Sequence, residues 1–93
     1  MPLEFEWNRE KAISNLKKHG VSFNEASSVF KDKFSATGYD PDHSLSEHRF
    51  ITVGVSDRKR NLIVSHTDRR DVVRIISARK ATRREIKFYE ENN

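Results

Sequence analysis

Three strand-like runs follow one another in the second half of the chain, and they constrain the fold more than any other feature. The runs are residues 50–55, 62–67 and 72–77, each rich in β-branched residues and separated only by short polar turns. Strands joined by short connections pair antiparallel. The sequence therefore predicts a three-stranded antiparallel meander.

The first third of the chain predicts a short strand followed by a helical hairpin. Phe5 and Trp7 alternate with Glu6, as in a strand. A helix is expected over residues 9–19, because Asn8 is a good N-cap and Gly20 suits the left-handed residue after a helix. Its packed face is predicted to hold Ala12, Ile13 and Leu16, and the second helix, starting after Ser22, is predicted to pack through Phe23, Ala26, Val29 and Phe30.

A last helix is predicted after Thr82, which forms a capping-box pattern with Glu85. Residues 34–36 only hint at a strand. Helices segregated from a run of strands indicate an α+β fold, here a single domain over residues 1–93. Its small antiparallel sheet is predicted to hold four strands, the three-stranded meander and the short N-terminal strand. Hydrophobic residues make up only 34% of the chain. Such a thin core predicts a marginally stable domain that gains from a bound partner.

The net positive charge lies in the second half of the chain, since residues 1–47 carry −2 and residues 48–93 carry +6. The net charge is +4, and nine of the ten arginines fall after residue 47. Arginine forks match phosphate oxygens and stack on bases, so this pattern indicates a nucleic-acid partner. A solvated basic surface, or a face for an acidic protein, is the alternative.

Several classes of protein are excluded by what the composition lacks. The chain has no cysteine, so disulfides and thiolate chemistry are ruled out. The longest aliphatic run is residues 62–64, far too short to span a bilayer. The first residues carry acid where a targeting peptide carries base, so a cytoplasmic location is expected.

Two residues in neighbouring predicted strands are the first candidates for chemistry. Arg74 interrupts an apolar strand, so it must be paired or line a ligand surface. His66 shares a strand face with Leu62 and Val64, which suits either a satisfied core histidine or a catalytic one. For RNA cleavage by the substrate's own 2′-hydroxyl, Glu47 or His66 is the candidate base, and Lys80, Tyr89 or a protonated histidine the candidate acid.

The segment around the start of the last helix is the most basic part of the chain. Arg79 and Lys80 are predicted in the loop before that helix, and Arg83 and Arg84 in its first turn, where the helix dipole disfavours cations. A phosphate bound at the helix N-terminus would offset that cost, although a solvated helix end is the simpler reading. The predicted site thus has catalytic Glu47, His66, Arg74, Arg79 and Lys80, and RNA-binding Arg49, Arg58, Arg83, Arg84 and Tyr89.

A metal site is the weaker alternative. Asp40, Asp42, His43 and His48 lie close in sequence, but their spacing matches no zinc motif and a Pro-Asp turn explains the acids. No metal or other cofactor is predicted.

Two long stretches of the chain resemble the BrnT-type toxins. The first holds residues 5–8, Lys11, Ala12, Asn15, residues 18–23, Ala26, Val29 and Phe30; the second holds Glu47, Arg49, Ser56, Arg58, residues 74–82, Glu85 and Tyr89. The resemblance implies a RelE-like ribonuclease fold and the toxin of a bacterial type II toxin–antitoxin pair, which blocks translation by cleaving RNA. It also implies a BrnA-type antitoxin, a complex that represses its own promoter, and site residues at Glu47, Arg49, Arg74, Arg79, Lys80 and Thr82.

Two further expectations concern partners. The complex is expected to be a heterotetramer, two toxins on an antitoxin dimer, with the apolar residues Trp7 and Phe34 under an antitoxin segment. The alternative function is a non-catalytic basic module that binds nucleic acid or regulates transcription within a complex.

Overall fold

Five strands and three helices make up the described part of the chain, residues 3–40 and 48–91 of a computed structural model. The elements are β1 (Glu4–Trp7), α1 (Arg9–His19), α2 (Phe23–Ser28) with a 3-10 turn (Val29–Lys31), β2 (Ala36–Tyr39), β3 (Arg49–Val55), β4 (Asn61–Arg69), β5 (Val72–Lys80) and α3 (Arg83–Glu91). The α+β class is as predicted. None of the helices in this part of the chain is long and apolar enough to cross a membrane.

The sheet is mixed and has the strand order β1-β5-β4-β3-β2. The predicted antiparallel meander is present as β3, β4 and β5, but β1 pairs parallel with β5 and β2 adds a fifth strand. The antiparallel four-stranded expectation was therefore wrong. The position of β1 follows from tertiary packing, because the parallel register puts Phe5 and Trp7 on the core side of β5. β2 carries few apolar residues and is an edge strand, which hides its signal.

The core lies on one face of the sheet, beneath α1, α2 and the 3-10 turn, and we call this the helix face. Trp7 packs edge-on against Phe23, with ring centroids 5.9 Å apart, so it belongs to the core and is not left over for a partner as expected. Phe34 is 56% exposed. The fully buried apolar residues of this core are Val21, Phe23, Ala26, Val29, Leu62, Val64, Val73, Ile75 and Ala78.

The predicted packed face of α1 was partly wrong. Ile13 and Leu16 are half exposed, and the buried residue of this helix is Asn15. The Asn15 side chain donates to the carbonyls of Val21 and Ala78, both at 2.9 Å, and accepts from the Ala78 N–H at 3.1 Å. A polar side chain thus joins α1 to β5, where the sequence pattern predicted an aliphatic one.

Asn15→Ala should lower the free energy of unfolding by about 2–4 kcal/mol, because it leaves three buried backbone groups without partners. The measurement is the urea unfolding curve of the purified protein. Ser14→Ala, a neighbouring exposed position on α1, is the matched control and should change stability little. Equal stability of the two variants would show that these hydrogen bonds contribute little.

Local sequence signals set the ends of the helices. Asn8 Oδ1 accepts from the Lys11 N–H at 3.0 Å, and Gly20 has a left-handed φ of 69°, both as predicted. Ser22 Oγ accepts from the Glu25 N–H at 3.0 Å. Ser22 and Glu25 have the spacing of a capping box, but the Glu25 carboxylate accepts from Ser56 and Arg60 instead, so only half of this box forms.

The third meander strand, β5, continues to Lys80, three residues beyond its predicted end. Ser65 lies opposite Ser77 and His66 opposite Ile75, which leaves Ile76 as the extra residue of a β-bulge. Beyond the bulge it is Ala78 that faces the core. The prediction of Arg79 and Lys80 as loop residues was therefore wrong.

Candidate functional site

The second face of the sheet is divided between α3 and an open basic surface. α3 packs near β3 and reaches over the end of the sheet that holds Val53 and Ile63. At the opposite end, strand alternation puts polar side chains on this face. We call this surface the arginine face; its residues are Glu6, Arg49, Thr67, Arg69 and Arg74.

Four of these residues form one row across four adjacent strands. Arg49 lies opposite Thr67, Thr67 opposite Arg74, and Arg74 opposite Glu6. Arg74 Nη1 donates to Glu6 Oε2 at 2.9 Å, and about half of each side chain is exposed to solvent. The expectation that Arg74 is paired is thus confirmed.

A cleft of about 350 Å³ opens on the arginine face, lined by Glu6, Thr67, Arg69, Val72 and Arg74. It places a carboxylate, a hydroxyl and two guanidinium groups around a space large enough for part of a nucleotide. Such a set of groups can bind a phosphate through the arginines and exchange a proton through the carboxylate.

Glu6 and Arg69 were not among the predicted site residues. The alternation of Phe5 and Trp7 does place Glu6 opposite the core, but its approach to Arg74 depends on the parallel register of β1. Arg69 was assigned to a turn, whereas β4 extends through it.

His66 lies on the helix face, so the structure does not bring it together with Arg74. It is only 1% exposed, between the rings of Phe30 and Phe50, whose centroids lie 4.9 Å and 5.9 Å away. Nδ1 lies 2.6 Å from Asp68 Oδ1, and Nε2 lies 2.7 Å from Thr52 Oγ1. Burial lowers the pKa of His66 below its ordinary value of 6.5, although Asp68 acts in the opposite direction. The ring is therefore neutral near pH 7, with Nδ1–H donating to Asp68 and Nε2 accepting from Thr52.

This burial makes the stability of the fold depend on pH. Because the pKa of His66 is lower in the folded state, the unfolded state binds protons more readily, and stability should fall as the pH drops below about 6.5. His66→Gln should flatten that fall, as measured by urea unfolding at about pH 7.5, 6.5 and 5.5. His19→Gln is the control and should keep the wild-type slope; equal slopes in all three proteins would contradict this role.

Arg79 and Glu85 form a two-point ion pair that fixes the start of α3. Arg79 Nη1 and Nη2 donate to the two carboxylate oxygens of Glu85, both at 2.8 Å. These hydrogen bonds lower the pKa of Glu85 to about 2. Thr82 completes the predicted capping box. Its N–H donates to the Glu85 carboxylate at 2.8 Å, and its hydroxyl accepts from the Glu85 N–H at 3.2 Å. The Glu85 carboxylate thus occupies the Arg79 fork, where a phosphate was one of the two predicted alternatives.

The remaining predicted site residues are spread over the molecule. Arg83 and Arg84 lie in the first turn of α3, as expected, and are exposed. Lys80 lies opposite Leu62 in the sheet, on the helix face, and Arg58 lies in the turn between β3 and β4. The Tyr89 hydroxyl donates to Asp32 at 2.6 Å. Burial, reinforced by this carboxylate, raises the pKa of Tyr89 to about 12.

Glu47 lies outside the described residues, as do Asp42 and His43 of the alternative metal site. Within residues 3–40 and 48–91, the structure contains no cluster of three or more His, Asp or Glu side chains arranged as metal ligands. Of the predicted site, therefore, the structure brings together Arg49 and Arg74 on one open face, with Arg84 on the helix that covers the rest of that face.

The fold and this face define a small basic α+β protein with a surface suited to a polyanion. The family model described as ribonuclease toxin, BrnT, of type II toxin–antitoxin system matches residues 7–85. The chain therefore belongs to the BrnT toxin family.

The comparison with solved structures concerns the fold. The chain is similar to the crystal structure of the Brucella abortus ribonuclease toxin BrnT, with a TM-score of 0.63 and 18% sequence identity. The match covers 87% of this chain and 99% of the Brucella protein. The search of curated proteins found no match.

Proposed function

We propose that this protein is an endoribonuclease that arrests growth by cleaving RNA, and that the RNA binds across the arginine face. The observation that carries this proposal is the row of Arg49, Thr67, Arg74 and Glu6, which joins phosphate-binding groups to a carboxylate on an exposed surface. Its membership of a ribonuclease toxin family supports the same reaction.

The proposed cleavage uses the 2′-hydroxyl of the substrate and needs no metal ion. The 2′-oxygen forms a bond to phosphorus while the bond from phosphorus to the 5′-oxygen breaks, which yields a 2′,3′-cyclic phosphate and a 5′-hydroxyl. A base takes the proton of the 2′-hydroxyl, and an acid returns one to the leaving oxygen. Arg74 and Arg49 stabilise the negative charge that grows on the phosphoryl oxygens.

Glu6 is the general base that the described residues support best, since its carboxylate lies in the row and 2.9 Å from Arg74. Glu47, the base predicted from the sequence, precedes Arg49 by two residues and stays a second candidate. His66 is held on the helix face with both ring nitrogens hydrogen-bonded, which supports a structural role. Lys80 and Tyr89 stay candidates for the acid. Arg79 stays a candidate for charge stabilisation, although it must release Glu85 to reach a phosphate.

The other predicted contacts complete the RNA surface. Arg83 and Arg84 extend it along α3, and Arg58 and Tyr89 are proposed to contact more distant nucleotides. We place the fold among the RelE-like ribonucleases, on the support of the β3–β5 meander with helices on one face and a terminal helix on the other.

The partner in this proposal is a BrnA-type antitoxin. A toxin of a type II pair has an antitoxin partner, and the small apolar core of this chain suits a protein that is stabilised in a complex. We propose two toxins bound to an antitoxin dimer, with the antitoxin carrying the complex to its own promoter.

Induced expression of this chain in bacteria, with primer extension on cellular RNA, tests the proposal. Growth arrest accompanied by new RNA ends is expected. Healthy growth with intact RNA, at good expression, would contradict the ribonuclease and favour the non-catalytic basic module.

A further inference from the structure

An apolar groove lies between α3 and the β2 edge of the sheet, next to the arginine face. It has a volume of about 380 Å³, and its walls are mainly aliphatic. We call it the edge groove; its apolar lining includes Ala36, Ile51, Val53, Ile63 and Phe88. Phe88 is more than half exposed, which is unusual for an aromatic side chain beside an aliphatic floor. Tyr39 only borders the groove, because its ring stacks on Phe50 on the helix face.

The outer edge of this groove is strand β2, the last strand of the sheet. The Asp40 N–H donates to the Arg49 carbonyl at 2.9 Å, so residues 40 and 49 form a hydrogen-bonded pair that continues the antiparallel ladder between β2 and β3. Such pairs alternate along antiparallel strands, and Gly38 and Ala36 therefore also bond to β3. It follows that the N–H and C=O groups of Thr37 and Tyr39 point away from the sheet, where an added strand can bind them.

The charges around the groove define what the added strand must carry. Arg84 lines the groove, and Arg83 and Lys87 are exposed on the same helix. On its other side, the groove borders the arginine face. The cross-strand pair Ile51–Ser65 lies at the end of the groove, and the next pair on the same face of the sheet is Arg49–Thr67. A complementary segment has apolar residues for the groove and acidic residues for both flanks.

From these features we infer that the edge groove docks an extended segment of the antitoxin, which pairs with β2 as a sixth strand and places apolar side chains beneath Phe88. A protein segment fits better than RNA, because the walls are mainly aliphatic and suit apolar side chains better than a sugar-phosphate backbone. A segment bound here extends over the neighbouring arginine face. Docking therefore excludes RNA from Arg49 and Arg74.

This inference depends on the antitoxin partnership, and its test uses the full-length chain with its antitoxin, identified as the protein that relieves growth arrest on co-expression. Binding affinity is measured for the wild type and for variants of the groove and the strand edge. Phe88→Glu should weaken binding by about 30-fold or more, as for an aromatic anchor. Thr37→Pro should weaken it by about 5-fold beyond Thr37→Val, because both lose the hydroxyl and only proline loses the outward N–H.

Leu16→Ser removes a similarly exposed apolar side chain from α1, on the other face of the sheet, and should bind as the wild type does. All variants should cleave RNA normally without antitoxin. Wild-type affinity in both Phe88→Glu and Thr37→Pro would overturn the docking site, as would loss of affinity only in Leu16→Ser. Loss of RNA cleavage by Phe88→Glu alone would assign the groove to RNA. If the wild type itself forms no complex, the partnership fails, and the docking inference fails with it.

Discussion

Arg74→Ala should lower the rate of RNA cleavage by about 100- to 1,000-fold, the usual cost of removing a group that stabilises transition-state charge. Arg74 occupies the middle of the cross-strand row and lines the cleft that we assign to the scissile phosphate. The measurement is the cleavage rate of a short RNA by purified protein, together with growth arrest on induction.

Two companion variants make this result specific. Arg9→Ala removes the same charge from α1, away from the arginine face, and should cleave RNA nearly as well as the wild type. Arg74→Lys keeps the charge but loses the planar fork, so an intermediate rate is expected. If Arg74→Ala and Arg9→Ala are equally active, the arginine face is not the site of cleavage.

Glu6→Gln should lower the cleavage rate by about 100-fold or more, because the amide cannot take the proton of the 2′-hydroxyl. The substitution keeps the shape of the side chain and a hydrogen-bond acceptor for Arg74, so the affinity for RNA should change much less than the rate. Single-turnover cleavage and equilibrium RNA binding separate the two effects.

Glu4→Gln is the matched control for this prediction. Glu4 lies on the same strand and the same face, one cross-strand row away, opposite Val72. It should leave the cleavage rate within a few-fold of wild type. A fully active Glu6→Gln would transfer the role of the base to another group, with Glu47 the next variant to measure.

The parts of the fold that were predicted correctly are those with local signals. The Asn8 cap and the glycine at position 20 bound the first helix, and the Thr82–Glu85 pair begins the last one. The meander strands also follow from short-range alternation. What failed depends on distant contacts: the parallel pairing of β1 with β5, the edge strand β2, and the burial of an asparagine on α1 that bonds to Ala78.

The same distinction explains the candidate site. β5 is apolar on both faces, since Val72 and Ile76 alternate with Val73 and Ile75, so its sequence does not reveal which face is the core. The sequence therefore predicts His66 and Arg74 in one site, although the two residues lie on opposite faces of the sheet. The need of Arg74 for a partner was predictable, but the identity of that partner required the register of β1.

Arg79 shows a further limit of sequence patterns. A basic residue before a helix N-terminus is consistent with a bound phosphate and with a carboxylate of the helix itself. The structure has Glu85 in that place, held by two hydrogen bonds. The capping-box pattern identifies Glu85 as a cap. The ion pair could not be predicted, because it depends on β5 continuing through Arg79, beyond its predicted end.

The most direct test of the central claim is the chemistry of the cleavage products. Purified wild-type protein is incubated, with and without a chelator, with an RNA oligonucleotide and with the same oligonucleotide carrying 2′-deoxy sugars. We expect 2′,3′-cyclic phosphate and 5′-hydroxyl ends from the RNA, and no cleavage where the 2′-hydroxyl is missing. Cleavage of the deoxy substrate, or cleavage that stops when the chelator is added, would contradict the central claim.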